Sequence, residues 1–569
     1  MKLDLIIRNG TVIDGSGMPR YRADVGVSRG KIVEIGRISS AASEVIDAEG
    51  MVVSPGFIDG HTHMDAQVSW DPLGTCSIWH GVTSVVMGNC GFTLAPCREA
   101  EKSLVLRNLE RAEDISPAAM EAGINWTWET FPEYLDHLEA LPKGINYAGY
   151  VGHSALRTYA MGERAFEEKA NEADMDIMRR ELRDAIRAGA IGFSSSRSPS
   201  HLTPDGQPVA SRVAAWSEVQ QLVGEMGKMN AGLFEVAQER PSDPALMDDW
   251  FSRLKDLAVD SGRPVTWGVF SRRATPGLWR KYFDVLEETA AAGGRMFAQV
   301  HSRALTVLLS FQSRLPFDKF PVWKEFRAQP LDVQLRELRD PALQAKLVEA
   351  AKNADPSLQG VGAEARLPEY DWMYYLETMA GPHKSIAEIA AERGKDPTQT
   401  LIDIALENDF NAFFLQPIAN EDQDAALEMM KHPRSVVTFS DSGAHVSQIM
   451  DSSLQTHLLS HWVREKQAFS LEEAVRELTF NPAMNWGIRG RGLLQPGYAA
   501  DLLVFDPATI GPQMPEVVSD LPAGAKRLKQ KADGIAATIV NGQIVLRNQE
   551  DTGARPGNLL RGPLADGAR

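Results

Sequence analysis

The chain contains very little cysteine and no long apolar run. Its 569 residues include three cysteines, Cys76, Cys90 and Cys97, all within one short stretch, which excludes a disulfide framework. An apolar run of about 20 residues, the length that spans a bilayer, is absent. The N-terminal segment lacks the apolar core of a signal peptide, which predicts a cytoplasmic protein.

Positive charge is also scarce. The chain has 59 lysines and arginines against 76 aspartates and glutamates, which gives a net charge of −17. This balance argues against nucleic acid and anionic membranes as partners, because both require an extended basic surface. The composition is otherwise that of a globular protein, and the expected partner is a small molecule. The composition is also compatible with assembly into a homo-oligomer.

The two ends of the chain have the same β-rich character. Residues 5–15 and 538–546 each contain an Asn-Gly pair between strand-like segments, a pattern that is typical of hairpins. Two similar ends predict one small β-sandwich domain that is formed by residues 1–54 and 491–569.

Between these ends, short apolar segments alternate with helical patterns. Strands are predicted at 52–53, 83–87, 147–151, 190–193, 232–236, 265–270, 296–300, 412–415 and 436–439. Helices are predicted at 167–188, 214–229, 244–261 and 279–292. The alternation predicts an α/β fold with a TIM-like (β/α)₈ barrel over 55–490. A long mixed stretch at about 304–369 is interpreted as an insertion that forms a lid or a contact surface.

Two histidines lie where the first barrel strand ends. In the segment Ile58-Asp59-Gly60-His61-Thr62-His63 they are two residues apart, so on an extended backbone their side chains point the same way. Two imidazoles on one side can bind one divalent metal. Asp441, in Phe439-Ser440-Asp441-Ser442-Gly443, follows a late strand and can face that metal. A helix N-cap is the alternative role of Asp441.

Several separated motifs resemble one family. They are His61-Thr62-His63, Gly88-Asn89-Cys90-Gly91-Phe92, Val151-Gly152-His153-Ser154, Ser440-Asp441-Ser442-Gly443-Ala444-His445 and Pro496-Gly497-Tyr498-Ala499-Ala500-Asp501. Together, and in this order, they look like the D-aminoacylase branch of the amidohydrolase superfamily. The resemblance implies a zinc-bearing barrel, with one or two ions or another divalent metal. It also implies hydrolysis of an amide bond, often in an N-acyl-D-amino acid.

The resemblance also assigns roles to residues. It implies that His61 and His63 bind the metal, that Cys90 contacts it through its thiolate, and that Asp441 is the catalytic acid and base. It further implies metal-binding histidines on the fifth and sixth strands, where this chain has none. Glu235 on the fifth strand is therefore either a substitute ligand or the partner of an arginine. The missing histidines predict fewer tightly bound metals, with one per chain expected.

Five other residues near strand ends are candidates for substrate binding: His153, Arg197, His201, His301 and His445. Arg197 suits a substrate carboxylate because its guanidinium binds in a bidentate manner, although an internal salt bridge is the alternative. A histidine in such a position either orients substrate or stabilises a turn.

These observations predict a metal-dependent amidohydrolase that cleaves a linear amide. A hydrolase of cyclic amides or ureides is the first alternative. A metal-depleted barrel that serves as a binding protein is the second, because the fifth and sixth strands lack histidine.

Overall fold

The chain forms three large sheets, and two short two-stranded sheets are made by Gly511–Pro512 with Ala532–Asp533 and by Glu516–Val518 with Arg527–Lys529. The computed structural model describes residues 2–241, 243–355, 367–379, 381–448 and 451–565. Within them lie a parallel barrel sheet, a sheet built from both termini, and a small antiparallel sheet in an insertion. Residues 356–366 of the predicted insertion lie outside the described residues.

The barrel consists of eight parallel strands that follow one another around the sheet in chain order. They are Phe57–Asp59, Val82–Met87, Asn146–Gly152, Gly192–Ser196, Leu233–Ala237, Val265–Gly268, Met296–Val300 and Ser435–Val437. Hydrogen bonds beyond the strand ends join the first strand to the eighth. The amide of Gly60 donates to Thr438 Oγ1 at 2.6 Å, and the amide of His63 donates to the carbonyl of Ser442 at 2.7 Å. The predicted TIM-like barrel is confirmed.

The helices outside the insertion pack against the barrel strands, and the last of them contacts Tyr150 and Phe297 through Trp486. They are Lys102–Glu110, Pro117–Gly123, Phe131–Ala140, His153–Met161, Glu172–Ala188, Ala210–Val213, Trp216–Met229, Pro244–Ser261, Trp279–Ala291, Gln423–Met430, Leu454–His457, Leu471–Leu478 and Phe480–Trp486. Glu172–Ala188 shows why they form: Asn171 and Asp174 build a capping box, and Met175, Met178 and Leu182 recur on the buried face. In the described part of the chain, no helix is long and apolar enough to cross a membrane.

The terminal sheet has nine strands, drawn from both ends of the chain. They are Leu3–Val12, Tyr21–Ser28, Lys31–Gly36, Ala42–Asp47, Val52–Pro55, Leu502–Phe505, Ile535–Val540, Gln543–Arg547 and Glu550–Asp551. Val52–Pro55 pairs with Leu3–Val12 on one side and with Leu502–Phe505 on the other. The segment 52–53, predicted as a barrel strand, therefore belongs to this sheet, and the barrel begins at Phe57–Asp59.

The insertion is longer than predicted. Its antiparallel strands are Leu305–Leu309, Tyr374–Leu376 and Phe413–Ala419, and its helices are Pro321–Arg327, Leu331–Glu337, Pro341–Lys352, Ile386–Arg393 and Pro397–Glu407. It has a hydrophobic cluster of its own around Trp323 and Phe414. The prediction that 412–415 is a barrel strand was wrong, because a short apolar run does not reveal which sheet it joins.

The insertion contacts the loops at the C-terminal end of the barrel. The amide of Leu308 donates to the carbonyl of Gln448 at 2.6 Å, and Arg314 lies 3.3 Å from the carboxylate of Asp114. The Arg272 guanidinium donates to the carbonyl of Ile418 at 3.3 Å. The insertion is thus a support for the loops that surround the barrel mouth.

A buried ionic network joins the terminal sheet to the barrel. Asp501 accepts hydrogen bonds from the amide of Asn541 at 2.7 Å and from Asn146 Nδ2 at 3.0 Å, and it pairs with Arg491. Both Asp501 and Arg491 are almost fully buried at the side chain, with exposures of 5% and 9%.

We expect Asp501→Ala to destabilise the protein by about 3–5 kcal/mol, because it leaves Arg491 buried without its partner. Glu44→Ala is the control. It breaks the Arg547 ion pair, in which both side chains are about half exposed, and is expected to cost about 0–1 kcal/mol. The measurement is the thermal unfolding midpoint of each variant. Equal midpoints for the two variants would contradict this role of Asp501.

Candidate metal centre

His61 and His63 lie side by side at the end of the first barrel strand. Their side chains are 0% and 2% exposed. The Nε2 atoms of His61 and His63 lie 3.3 Å and 3.5 Å from the same Asp441 oxygen, Oδ1. The two imidazoles therefore face one point, together with a carboxylate from the opposite side of the barrel seam.

Asp441 reaches this point from a tightly wound loop after the eighth strand. Its φ of 52° is left-handed, and Gly443 follows with a φ of 98°. A Cβ at Gly443 would lie 2.3 Å from the carbonyl oxygen of His63, so only glycine permits this approach. The carboxylate caps no helix in the described residues, and its Oδ1 has no hydrogen-bond partner there.

Cys90 lies beside His61, in the turn Asn89–Gly91 that follows the second strand. Its Sγ is 3.6 Å from His61 Nε2, and its own φ of 56° is left-handed. Glu235, on the fifth strand, accepts a hydrogen bond from the Cys90 amide at 2.7 Å through Oε2. Its other oxygen has no partner among the described residues. Glu235 thus pairs with the cysteine backbone rather than with an arginine.

Glu113 was not predicted from the sequence. It follows the helix Lys102–Glu110 in an irregular turn, and its side chain is only 2% exposed. Its Oε2 lies 3.6 Å from His63 Nε2 and 3.7 Å from His445 Nε2. No strand end or motif surrounds it, so the sequence offers no signal for its place in the site.

The electrostatics of the cluster favour a bound cation. Burial lowers the pKa of His61 to about 3, so this imidazole is neutral and can act as a ligand. Burial would also lower the pKa of His63, but Glu113 and Asp441 reverse the effect and raise it to about 9. Burial raises the pKa of Glu235 to about 8 and that of the Cys90 thiol well above its ordinary value. These groups ionise readily only if positive charge is supplied nearby.

His61 is held in place by its neighbours. Its Nδ1 is 2.7 Å from Gln299 Oε1, and Gln299 Nε2 donates to Thr266 at 3.2 Å. The ring of Phe439 stacks on the imidazole at a centroid distance of 3.7 Å. This arrangement fixes the ring and leaves Nε2 directed at Asp441 and Cys90. Gln299 lies on the predicted strand 296–300, but the strand pattern alone gave no reason to select it.

A cavity of about 170 Å³ opens above this cluster. His201 and His445, two predicted substrate-binding residues, line it, and so do two arginines that were not predicted, Arg240 and Arg272. Its apolar wall includes Phe270 and Tyr282.

Three predicted substrate-binding residues do not line this cavity. Both ring nitrogens of His153 are bonded at 2.8 Å, to Ser195 and Glu218. Arg197 pairs with Glu239 at 3.1 Å and donates to a backbone carbonyl, which is the internal salt bridge given as its alternative role. His301 Nδ1 contacts the backbone of Arg303.

The donor set suits a divalent metal. Ligand atoms of His61, His63 and Cys90 lie within 4.8 Å of one another, and all three residues are buried. Imidazole nitrogen, thiolate and carboxylate are the groups that bind zinc and related ions in proteins. The unpartnered Oδ1 of Asp441 adds a carboxylate oxygen at the same point.

We expect Gln299→Met to weaken metal binding about 10- to 100-fold, because outer hydrogen bonds orient metal-binding histidines. The exposed Gln221→Met is the control. Metal affinity is measured by competition with a chromophoric chelator, and unchanged affinity in Gln299→Met would show that Phe439 alone orients His61.

Comparison with known proteins gives relatives that match along their whole length. D-aminoacylase of Alcaligenes xylosoxydans xylosoxydans is 29% identical to this chain, and the match covers 98% of this chain and 97% of the relative. The structure of N-acyl-D-glutamate deacylase from Bordetella bronchiseptica, complexed with zinc and a phosphonate inhibitor, has a TM-score of 0.66 at 25% identity. The match covers 99% of this chain and 100% of that structure. A structure of D-aminoacylase, solved in a study of the binuclear metal centre of that enzyme, has a TM-score of 0.65 at 26% identity. The match covers 98% of this chain and 100% of that structure.

A model of the amidohydrolase family matches residues 44–546, which include the whole barrel and, of the terminal sheet, the complete strands Val52–Pro55, Leu502–Phe505 and Ile535–Val540. The resemblance to the D-aminoacylase branch is thereby confirmed. The chain belongs to the amidohydrolase family and is a hydrolase of non-peptide carbon–nitrogen amide bonds.

Proposed function

We propose that the chain is a zinc-dependent deacylase that cleaves the linear amide bond of an N-acyl-D-amino acid. The observation that carries this proposal is the convergence of His61, His63, Cys90 and Asp441 on one buried point below a cavity. The names of the similar proteins, D-aminoacylase and N-acyl-D-glutamate deacylase, support the substrate class and its D configuration. The converging ligands also argue against the metal-depleted binding protein.

The four converging residues would hold the metal. Two imidazoles, a thiolate and a carboxylate form a set that zinc favours over magnesium or calcium, and metal binding would displace the proton of His63. The bound ion would polarise the scissile carbonyl and lower the pKa of a water molecule. His61, His63 and Cys90 are buried, and Asp441 is 17% exposed, so little bulk water reaches the set and these electrostatic effects are strengthened.

Asp441 is the proton carrier of the proposed reaction. Burial alone would raise its pKa, but the close approach of His63 and His61 to Oδ1 lowers it to about 2. The carboxylate is thus ionised at neutral pH and can accept a proton from the attacking water. It then delivers this proton to the leaving nitrogen. Because it lies on the cavity surface, it reaches the substrate directly.

Arg240 and Arg272 provide the recognition of an acidic substrate. Arg240 lies beyond the fifth strand, and its guanidinium donates to Ser198 and Ser200 at 2.9 Å and 2.8 Å. Arg272 lies beyond the sixth strand, braced by the insertion. Two guanidinium groups on one wall suit the carboxylate of an amino acid, while Phe270 and Tyr282 suit an apolar portion of the substrate.

We expect Asp441→Asn to lower kcat about 10²- to 10⁴-fold, because asparagine cannot cycle a proton at neutral pH. His61, His63 and Cys90 remain, so much of the metal should stay bound. Asp205→Asn, the same exchange at an exposed site outside the cavity, is the control. Hydrolysis of N-acetyl amino acids of both configurations and metal content are measured on each preparation. Near-normal turnover by Asp441→Asn would rule out the proposed proton transfer.

We expect Arg240→Met to raise KM for an N-acetyl-D-amino acid roughly 10- to 100-fold, the effect of losing a hydrogen bond between charged groups. With the matching substrate whose carboxylate is a carboxamide, KM should change little. Arg197→Met is the matched control, because Arg197 follows the neighbouring strand but pairs with Glu239. If Arg197→Met changes KM for the acid and Arg240→Met does not, the assignment of the two arginines is reversed.

A further inference from the structure

We propose that a groove at the N-terminal end of the barrel binds a small organic polyphosphate of the nucleoside diphosphate or triphosphate class. This groove, which we call the basic groove, has a volume of about 1190 Å³. Its wall includes Ile191, Gly232, Pro264 and Arg295, each of which directly precedes a barrel strand. It therefore lies at the opposite end of the barrel from the proposed metal ligands, and its ligand is distinct from the substrate.

Positive charge is concentrated in the basic groove, although the chain as a whole has a net charge of −17. The arginines on its wall are Arg187, Arg263, Arg295, Arg489, Arg491 and Arg561. The two acidic residues on the wall, Asp136 and Glu139, are both paired with Arg561. Arg491 is paired with Asp501 in the network that joins the terminal sheet to the barrel. The wall therefore offers no carboxylate to the other four arginines.

These four arginines, Arg187, Arg263, Arg295 and Arg489, also have few ion-pair partners elsewhere. Arg187 lies 3.5 Å from Asp184, and both side chains of this pair are exposed to solvent by half or more. Within the described ranges of the chain, the other three arginines form no ion pair. A groove with this excess of guanidinium groups attracts anions.

Arg263 and Arg295 lie close enough to affect each other. Burial and the charge of Arg295 lower the pKa of Arg263. The Arg263 Nε atom is buried and has no hydrogen-bond partner in the part of the chain that the structure describes. Its Nη2 donates to Asn230 Oδ1, an uncharged acceptor. Two neighbouring guanidinium groups repel each other, and an anion that contacts both removes this repulsion.

Helix C-termini account for part of the basic charge. Ala188, Asn230 and Gly262 line the groove where the helices Glu172–Ala188, Trp216–Met229 and Pro244–Ser261 end. Each helix end has a partial negative charge of about half a unit, which favours cations near its last turn. Three such ends balance fewer than about two of the four guanidinium groups. Positive charge thus remains for a ligand.

The remaining wall of the basic groove indicates what kind of anion fits. Guanidinium groups bind phosphate oxygens in a bidentate manner, and several of them suit a ligand with more than one phosphate. Met484, which is 59% exposed, and Leu560 provide apolar surface for a base or another aromatic group. Pockets for small molecules measure about 300–1,000 Å³, so a nucleotide can enter the groove. The acidic surface elsewhere on the chain disfavours a long nucleic acid.

The experiment is a calorimetric titration of the metal-loaded, full-length chain with adenosine triphosphate at about 0.15 M salt, where exposed charges are largely screened. The wild type should show saturable binding of one equivalent. Adenosine should not bind, and inorganic tripolyphosphate should bind more weakly than adenosine triphosphate. Elemental analysis before and after the titration confirms that the phosphates withdraw no metal.

The double variant Arg263→Gln/Arg295→Gln should bind adenosine triphosphate at least about tenfold more weakly, because each lost contact joins two charged groups. Arg489→Glu is the second variant and should also weaken binding about tenfold or more. Its side chain is exposed and has no ion-pair partner among the described residues, so the fold should tolerate the exchange. The matched control is Arg240→Gln/Arg272→Gln, which makes the same change of charge in the cavity at the other end of the barrel.

Absence of saturable binding by the wild type would overturn the proposal, as would wild-type affinity in both groove variants. Loss of binding in the Arg240→Gln/Arg272→Gln control alone would also overturn it, because the nucleotide would then occupy the substrate cavity. Equal affinity for tripolyphosphate would overturn the assignment to an organic ligand. Amide hydrolysis is measured on the same preparations and should be unchanged in Arg263→Gln/Arg295→Gln, so the groove and the proposed function are tested separately.

Discussion

Buried negative charge at one end of the barrel is the constraint on which the site depends. Asp441, Glu113 and Glu235 lie around the Cys90 thiol; Glu113 and Glu235 are enclosed by protein, and Asp441 is 17% exposed. Such a group of acids is not stable as a set of anions unless a cation is among them. The backbone is shaped to keep them there, since Cys90, Asp441 and His445 all have left-handed φ values, a conformation that costs about 1–3 kcal/mol per residue.

The structure separates the reaction chemistry from substrate recognition. The residues proposed for the reaction follow the first, second and eighth strands, and hydrogen bonds across the barrel seam hold them in register. The arginines and Phe270 belong to loops after the fifth and sixth strands, and Tyr282 lies on the helix Trp279–Ala291. The insertion supports these loops through contacts such as the Arg272–Ile418 hydrogen bond. Substitutions in the insertion can therefore alter the cavity wall while the ligand cluster stays intact.

Local patterns predicted the barrel and the centre of the site. The spacing of His61 and His63 depends only on the period of an extended strand, and the loop at Asp441 carried a recognisable motif. Local patterns could not show which arginine, Arg197 or Arg240, lines the substrate cavity, because both follow barrel strands. The structure separates them through Glu239, which pairs with Arg197. Glu113 had no local signal at all, since its position depends on how a turn packs against the barrel mouth.

The closure of the barrel has a consequence for the order of events during synthesis. Gly60 and Thr438, which are hydrogen-bonded across the seam, are 378 residues apart in the chain. His61 and His63 emerge from the ribosome before Asp441 and before the strands Leu502–Phe505 and Ile535–Val540 of the terminal sheet. Under the proposed mechanism, the nascent chain therefore lacks a complete ligand set until Asp441 has been synthesised. A fragment that ends before the eighth strand lacks Asp441 and, under the proposed mechanism, cannot hydrolyse the amide bond.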